Sequence, residues 1–212
     1  MSICQEISEK LQRGRSKEVA ALVEQAVAEG LSAETILTDA LIGGMSIVGE
    51  RFKKNEVFVP EVLVAARAMT AGLNILKPLM AQEGVKPLGK AIICTVQGDM
   101  HDIGKNLVKM MLEGQGIECI DLGVDVAPQT IVEAVKESGA KLICLSALLT
   151  TTMEGQRDVI EALKAAGIRD SVKVMVGGAP VSQQFADEIG ADCYTLDAAS
   201  AASKAKELLL EN

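Results

Sequence analysis

Asp99 stands two residues before His101, the only histidine among 212 residues. At that spacing a carboxylate can accept a hydrogen bond from one ring nitrogen. Such a bond fixes the tautomer and makes the other nitrogen a better metal ligand. The stretch runs Gln97-Gly98-Asp99-Met100-His101-Asp102-Ile103-Gly104-Lys105-Asn106, and Gly104 would admit a backbone approach that a Cβ would block. The plain alternative is a surface histidine that packs or caps a helix. The carboxylate partner, the glycine and the position after a predicted strand favour the ligand instead. One imidazole excludes any zinc or iron site built from two or three histidines.

Two more segments hold groups that could meet a ligand. Ser146-Ala147-Leu148-Leu149-Thr150-Thr151-Thr152 supplies four hydroxyls, although capping the helix that starts near Met153 would occupy one of them. Gly177-Gly178-Ala179-Pro180 offers bare backbone against which a flat ligand could lie, and a glycine pair before a helix is by itself a weak sign.

The elements that carry these segments follow from periodicity. From Lys90 onward, short runs rich in Ile, Val and Leu alternate with helical patterns. The predicted strands are 91–96, 118–122, 142–146, 173–176 and 193–196. Helices fill the gaps at about 103–115, 128–138, 153–166, 182–189 and 198–210. Five such units imply a parallel sheet covered on both faces, with ligands bound beyond the carboxyl ends of its strands. The segments after Val96, Leu145 and Val176 all lie at that edge. Residues 1–85 read differently, as four amphipathic helices over 2–13, 16–29, 32–54 and 60–81. Ser16 and Ser32 suit N-caps, Gly14 and Gly30 suit helix ends, and Pro60 suits a first turn. The expected architecture is therefore α + α/β. A four-helix bundle spans 1–85, a linker 86–89, and a flavodoxin- or Rossmann-like doubly wound domain with five parallel strands 90–212.

Composition removes several functions. There are 29 acids against 21 bases, a formal net charge of −8, and aromatics are 2% of the chain. Binding to nucleic acid through phosphates or base stacking is therefore not expected. The five cysteines form no CxxC pair, and Cys94, Cys119 and Cys144 fall in apolar strand-like runs, as buried hydrophobes do. The first residues do not read as a signal peptide, and no apolar run reaches the ~18 residues that span a bilayer. A reducing cytoplasm and no membrane partner are the expectation. A phosphoacceptor receiver domain would need an Asp after the third strand, where Ser146 stands, and a Lys after the fifth. A flavodoxin would need aromatics and a first loop without Asp99 and Asp102. A GxGxxG dinucleotide motif is absent.

Asp99-x-His101-x-x-Gly104, then Ser146-x-Leu148, then Gly177-Gly178 resembles the signature of cobalamin-binding modules. In the helical half, Gly44-Met45-x-x-Val48-Gly49-x-x-Phe52 and Phe58-Val59-Pro60 resemble the cap domain beside that module. The pair is similar to the cobalamin portion of methionine synthase. At this size it is most similar to the corrinoid proteins of methyltransferase systems, and the likeness covers nearly the whole chain.

The resemblance implies a role for each matching residue. His101 would be the lower axial ligand of cobalt, base-off and His-on, with Asp99 and Thr152 completing a relay behind it. Gly98, Met100, Asp102, Ile103, Gly104 and Leu148 would be further cofactor-binding residues. Ser146 and Thr150 would contact the displaced nucleotide tail, and Gly177, Gly178 and Ala199 would line its slot. Phe52, Val59 and Val62 would form the apolar cap over the upper face, although spacing alone reads them equally as bundle core.

The implied function is a methyl carrier with no complete catalytic site of its own. Its partners would be a donor-specific methyltransferase for methylamines, betaines, methanol or methoxyaromatics, an acceptor-side methyltransferase working with tetrahydrofolate or coenzyme M, and a reductive activator of Co(II). Two other uses of the module are a cobalamin-dependent sensor or regulator and the small subunit of an adenosylcobalamin mutase. The acidic charge disfavours the first, and the methyl-shielding cap disfavours the second.

Overall fold

The computed structural model describes residues 2–211. The chain divides into two compact units. One runs up to Pro87 and includes Gly114–Gly116; the other comprises Leu88–Glu113 and the residues from Ile117 onward.

The first unit is helical: α1 Ile3–Gln12, α2 Ser16–Ala28, α3 Ala33–Thr35, α4 Gly43–Lys53 and α5 Val59–Glu83. Ser2 caps α1 by accepting from Gln5 N, and Ser32 caps α3 by accepting from Thr35 N. The stretch expected as one helix over 32–54 is interrupted by a π-helical segment, Ile36–Ile42, between α3 and α4. Ile36, Leu37, Ala40, Leu41, Met45 and Val48 are buried and keep their three- and four-residue spacing through it. Apolar periodicity therefore cannot reveal the wider turn.

Helix α5 is 25 residues long and apolar enough, by length and composition, to cross a membrane, although no unbroken apolar run in the sequence suggests it. Core helices pass the same test. Its Val62, Ala65, Ala68, Met69 and Leu76 are buried, and it packs on α2.

The second unit is an all-parallel five-stranded sheet in the order β2-β1-β3-β4-β5, formed by β1 Gly89–Val96, β2 Ile117–Val126, β3 Leu142–Ser146, β4 Lys173–Gly177 and β5 Cys193–Tyr194. Its helices are α6 Ile103–Glu113, α7 Pro128–Ser138, α8 Glu154–Ala165, α9 Gln183–Ile189 and α10 Ala198–Leu210. Alternate strand residues serve opposite faces. Ile92, Cys94, Val96, Ile143, Leu145, Val174 and Val176 join the core made with α7, α8 and α9. Ala91, Ile93, Leu142, Cys144 and Met175 are buried on the other face, where α6 packs against α10.

Two strands depart from expectation. β2 is twice the length read from sequence, because an edge strand tolerates the polar Asp125 and so runs on past Leu122. β5 stops at Tyr194, and Leu196 is 86% exposed.

Candidate functional site

β1 and β3 are neighbours whose onward connections leave in opposite directions, since β1 is followed by β2 on one side and β3 by β4 on the other. Open α/β sheets place ligands in the crevice beyond such a pair. The loop after β1 carries Asp99 and His101, and the segment after β3 carries Leu148 and Thr152.

Asp99 joins the two. Its Oδ1 accepts from His101 Nδ1 at 2.7 Å and from His101 N at 3.0 Å. Its Oδ2 accepts from Leu148 N and from Thr152 Oγ1, each at 2.7 Å. The carboxylate is fully buried, and burial opposes its charge. The Thr152 hydroxyl, the Leu148 and His101 amides and the imidazole outweigh burial and hold the carboxyl well below the usual carboxylate range. An ionised carboxylate only accepts hydrogen bonds, so Nδ1 must donate and the neutral ring keeps its lone pair on Nε2. The His101 side chain is 50% exposed, and among the described residues nothing hydrogen-bonds Nε2. The geometry presents one oriented, outward-facing nitrogen.

The two segments that meet at Asp99 also carry large apolar side chains left exposed to solvent. Met100 is 69% exposed and Ile103 79%, and Leu148 and Leu149 are also exposed. Gly98 (φ +83°) and Gly104 are exposed too, and an added Cβ at Gly104 would meet nothing within 4 Å. Gly104 is therefore not required by the fold. Asp102 accepts from Asn106 Nδ2 at 3.0 Å and faces solvent.

Gly178 behaves differently from expectation. Its φ is +131°, and a Cβ there would lie 1.7 Å from the Ala147 carbonyl oxygen. The glycine is demanded by the close approach of its own neighbouring loop, whatever else lies near it. At Gly177 the nearest atom to an added Cβ is the Thr195 carbonyl oxygen at 3.6 Å. Ser146 ends β3 half-buried, Thr150 is exposed, and Ala199 is buried in the first turn of α10. None of these three touches the Asp99–His101–Thr152 cluster through a hydrogen bond. In the helical unit, Phe52 is half-buried near the end of α4, Val59 is exposed at the start of α5, and Val62 is fully buried.

Periodicity and motif spacing passed over four residues of this edge. Thr95, a lone hydroxyl inside apolar β1, is buried and donates to the His101 carbonyl at 2.8 Å. Asp125 accepts from Gly98 N at 2.7 Å. Buried Gln156 donates to the carbonyls of Leu145 and Gly177, tying β3 to β4 at their carboxyl ends. Lys105 is 3% exposed and pairs with both oxygens of Asp121 at 2.7 and 2.8 Å. A polar residue inside an apolar strand or helix face is the one sign that could have flagged Thr95 and Lys105.

Among the described residues no group of three or more His, Cys, Asp or Glu could hold a metal ion. A metal held through His101 must therefore bring most of its ligands with it. Fold and site together define a flavodoxin-like α/β domain that presents a single imidazole at its switch point.

The comparisons with known proteins agree. A family model described as a B12 binding domain matches residues 89–205, and a second of the same description matches 3–77. Dimethylamine corrinoid protein 2 of Methanosarcina acetivorans is 49% identical over 209 residues, covering 98% of this chain and 96% of its own. Trimethylamine corrinoid protein 1 of the same organism is 46% identical over 193 residues, covering 90% and 89%. Among solved structures, the methanol:cobalamin methyltransferase complex of Methanosarcina barkeri matches with a TM-score of 0.88 at 28% identity, over 99% of this chain and 80% of that one. A cobalamin-binding protein of Desulfitobacterium hafniense matches with 0.80 at 32% identity, over 97% and 98%. The chain belongs to the B12-binding corrinoid proteins of methyltransferase systems, and its cofactor is a cobalamin-type corrinoid.

The residues present fit that cofactor. A corrin ring supplies four equatorial nitrogens to its metal, so one oriented Nε2 is a sufficient protein ligand. The exposed Met100, Ile103, Leu148 and Leu149 suit its broad apolar face.

Proposed function

We propose that this chain binds its corrinoid base-off with His101 as the lower axial ligand of cobalt, and carries a methyl group from a dimethylamine-specific methyltransferase to an acceptor-side methyltransferase. The observation that carries this reading is the Asp99–His101 bond at 2.7 Å, which leaves Nε2 directed outward and free. The donor is inferred from the similarity to dimethylamine corrinoid proteins. A bound corrinoid supplies a cobalt centre able to accept and release a methyl group.

The chain's own residues do the rest. His101 Nε2 donates to the metal. Asp99 holds the Nδ1 proton and the ring plane, and Thr152 and the Leu148 amide keep Asp99 ionised and in place. Gly98, Met100, Asp102, Ile103, Gly104 and Leu148 border the ring. Ser146, Thr150, Gly177, Gly178 and Ala199 accommodate the displaced nucleotide tail. In the helical cap, taken as residues 1–85, Phe52, Val59 and Val62 exclude water from the upper face. The linker 86–89 before domain 90–212 lets that cap move for transfer. A reductive activator restores the cofactor when it is oxidised. Five thiols free of disulfides suit a reducing cytoplasm.

The test is reconstitution with cobalamin. In the Co(II) state, labelling the protein with 15N-histidine should turn the nitrogen superhyperfine triplet into a doublet, because the cofactor's own base keeps 14N and His101 is the only histidine; an unchanged triplet would refute His101 as ligand. A methyl-transfer assay with mono-, di- and trimethylamine and methanol, each with its own methyltransferase, should favour dimethylamine. A preference for another donor would overturn the donor assignment alone.

A further inference from the structure

Asp125 sits near the carboxyl end of β2 with φ +53°, in the left-handed region that a residue with a side chain enters at a cost of about 1 kcal/mol. The pairing of β1 with β2 shifts register between Cys94 and Val96, beside this residue. In that conformation Asp125 does two things at once. Its Oδ1 accepts from Gly98 N at 2.7 Å, and its own N donates to the Asp99 carbonyl at 3.0 Å. It is not needed as a helix cap, since the N-cap of α7 is Ala127 and no side chain caps that helix. Burial does not hold it either, because it is exposed. At the far end of the same loop, Thr95 Oγ1 donates to the His101 carbonyl at 2.8 Å.

The backbone of Gly98–His101 is thus suspended from two residues that touch neither the imidazole nor the Asp99 carboxylate. Asp99 itself can orient the His101 ring only if its own backbone is fixed. A carboxylate free to shift with its loop would carry the ring with it, and a misplaced donor weakens a metal bond steeply.

We propose that Asp125, seconded by Thr95, is a positioning residue for His101, holding the loop where the imidazole meets the corrinoid. The proposal rests on His101 as the cobalt ligand. It assigns the role to the accepting oxygen and the left-handed backbone of Asp125, with its negative charge secondary.

The test uses the full chain and measures cobalamin affinity by optical titration, together with the Co(II) nitrogen splitting that becomes a doublet when the protein carries 15N-histidine. Asp125→Ala and Asp125→Gly both remove the acceptor, and the glycine variant keeps the backbone conformation if the alanine variant folds poorly. Both should bind cobalamin about tenfold more weakly, with a reduced fraction showing the histidine-derived doublet. Asp125→Asn retains an accepting oxygen and should restore both readouts, and Thr95→Val should give a smaller loss of the same kind. Wild-type affinity and a full doublet in Asp125→Gly would overturn the proposal, as would an asparagine variant as weak as the alanine one. Absence of the histidine-derived doublet from the wild type itself would overturn the ligand assignment and this proposal together. A doublet that is present in the wild type and untouched by substitution at Asp125 would overturn this proposal alone.

Discussion

Thr152 Oγ1 donates to Asp99 Oδ2 at 2.7 Å, joining the segment after β3 to the loop after β1 across 53 residues of sequence. The hydroxyl also lies 3.1 Å from the Leu149 carbonyl, so its position is fixed from both sides. Replacing Thr152 by Val keeps the shape and removes the donor. A hydrogen bond to a charged group is worth about 1.5–3 kcal/mol, and Thr152→Val should lose stability in that range by urea denaturation, whereas Thr152→Ser should lose little. Cobalamin affinity should fall in the same order. A valine variant as stable as the wild type would show that the bond contributes nothing to the fold.

The pair Lys105–Asp121 should respond asymmetrically to mutation. Lys105 is buried, whereas Asp121 is partly exposed and also meets Lys109 at 3.2 Å. Asp121→Asn leaves the buried ammonium with neutral acceptors only, the new amide oxygen and Asn106 Oδ1 at 2.8 Å, and should be the costlier change. Lys105→Met leaves Asp121 with water and Lys109, and should cost clearly less. Urea midpoints of the two variants at neutral pH decide the order.

The same pair sets an acid dependence. Partial burial opposes the Asp121 charge, but the Lys105 ammonium, the Gly123 amide and Lys109 outweigh it and hold the carboxyl below its ordinary value. A depressed native value means the stabilisation is complete above the unfolded value of ~3.9 and is lost as pH falls through the native one. The stability gap between wild type and Asp121→Asn should therefore be constant near neutrality and shrink below about pH 4. A gap that widens on acidification would contradict the pairing.

Gly178 and Gly104 make opposite predictions. A Cβ at Gly178 would overlap the Ala147 carbonyl oxygen at 1.7 Å, so Gly178→Ala should destabilise the protein by about 3 kcal/mol or more. Gly104 lies in α6 with open space around it, and Gly104→Ala should leave the cofactor-free protein unchanged or up to about 1 kcal/mol more stable. Its cobalamin affinity should nevertheless fall if the corrinoid approaches that backbone. Thermal melts with and without cobalamin separate the two effects.

The thiols should be slow. Burial pushes Cys94 and Cys119 up to about 12, holds Cys144 well above its ordinary value, and also raises Cys4 and Cys193. With so little thiolate at about pH 8, the native protein should react with a disulfide reagent at less than one fast equivalent. All five should react once it is unfolded in denaturant.

The parallel sheet was legible because each strand is a short apolar run and each helix an amphipathic one, both local patterns. The β2 edge was only half legible. Asp121 and Asp125 interrupt its apolar pattern, although one of them pairs with Lys105 and the other holds the histidine loop. The π-helical segment in Ile36–Ile42 was invisible because it leaves the spacing of buried residues intact. Leu196 is apolar enough to read as strand, but the sheet ends at Tyr194.

By itself the sequence determined that one imidazole, with a carboxylate two residues away, follows the first strand of a parallel sheet. Those are facts of spacing, since two residues are close enough for a side chain to reach back to its neighbour. It could not decide that Asp99 stays charged, which depends on Leu148 and Thr152 arriving from about fifty residues further on. Nor could it show that Gly178 answers to Ala147, or that Asp125 and Thr95 hold the loop from either end. Those partners are chosen when β1 lies between β2 and β3, and that neighbourhood is a property of the folded sheet alone.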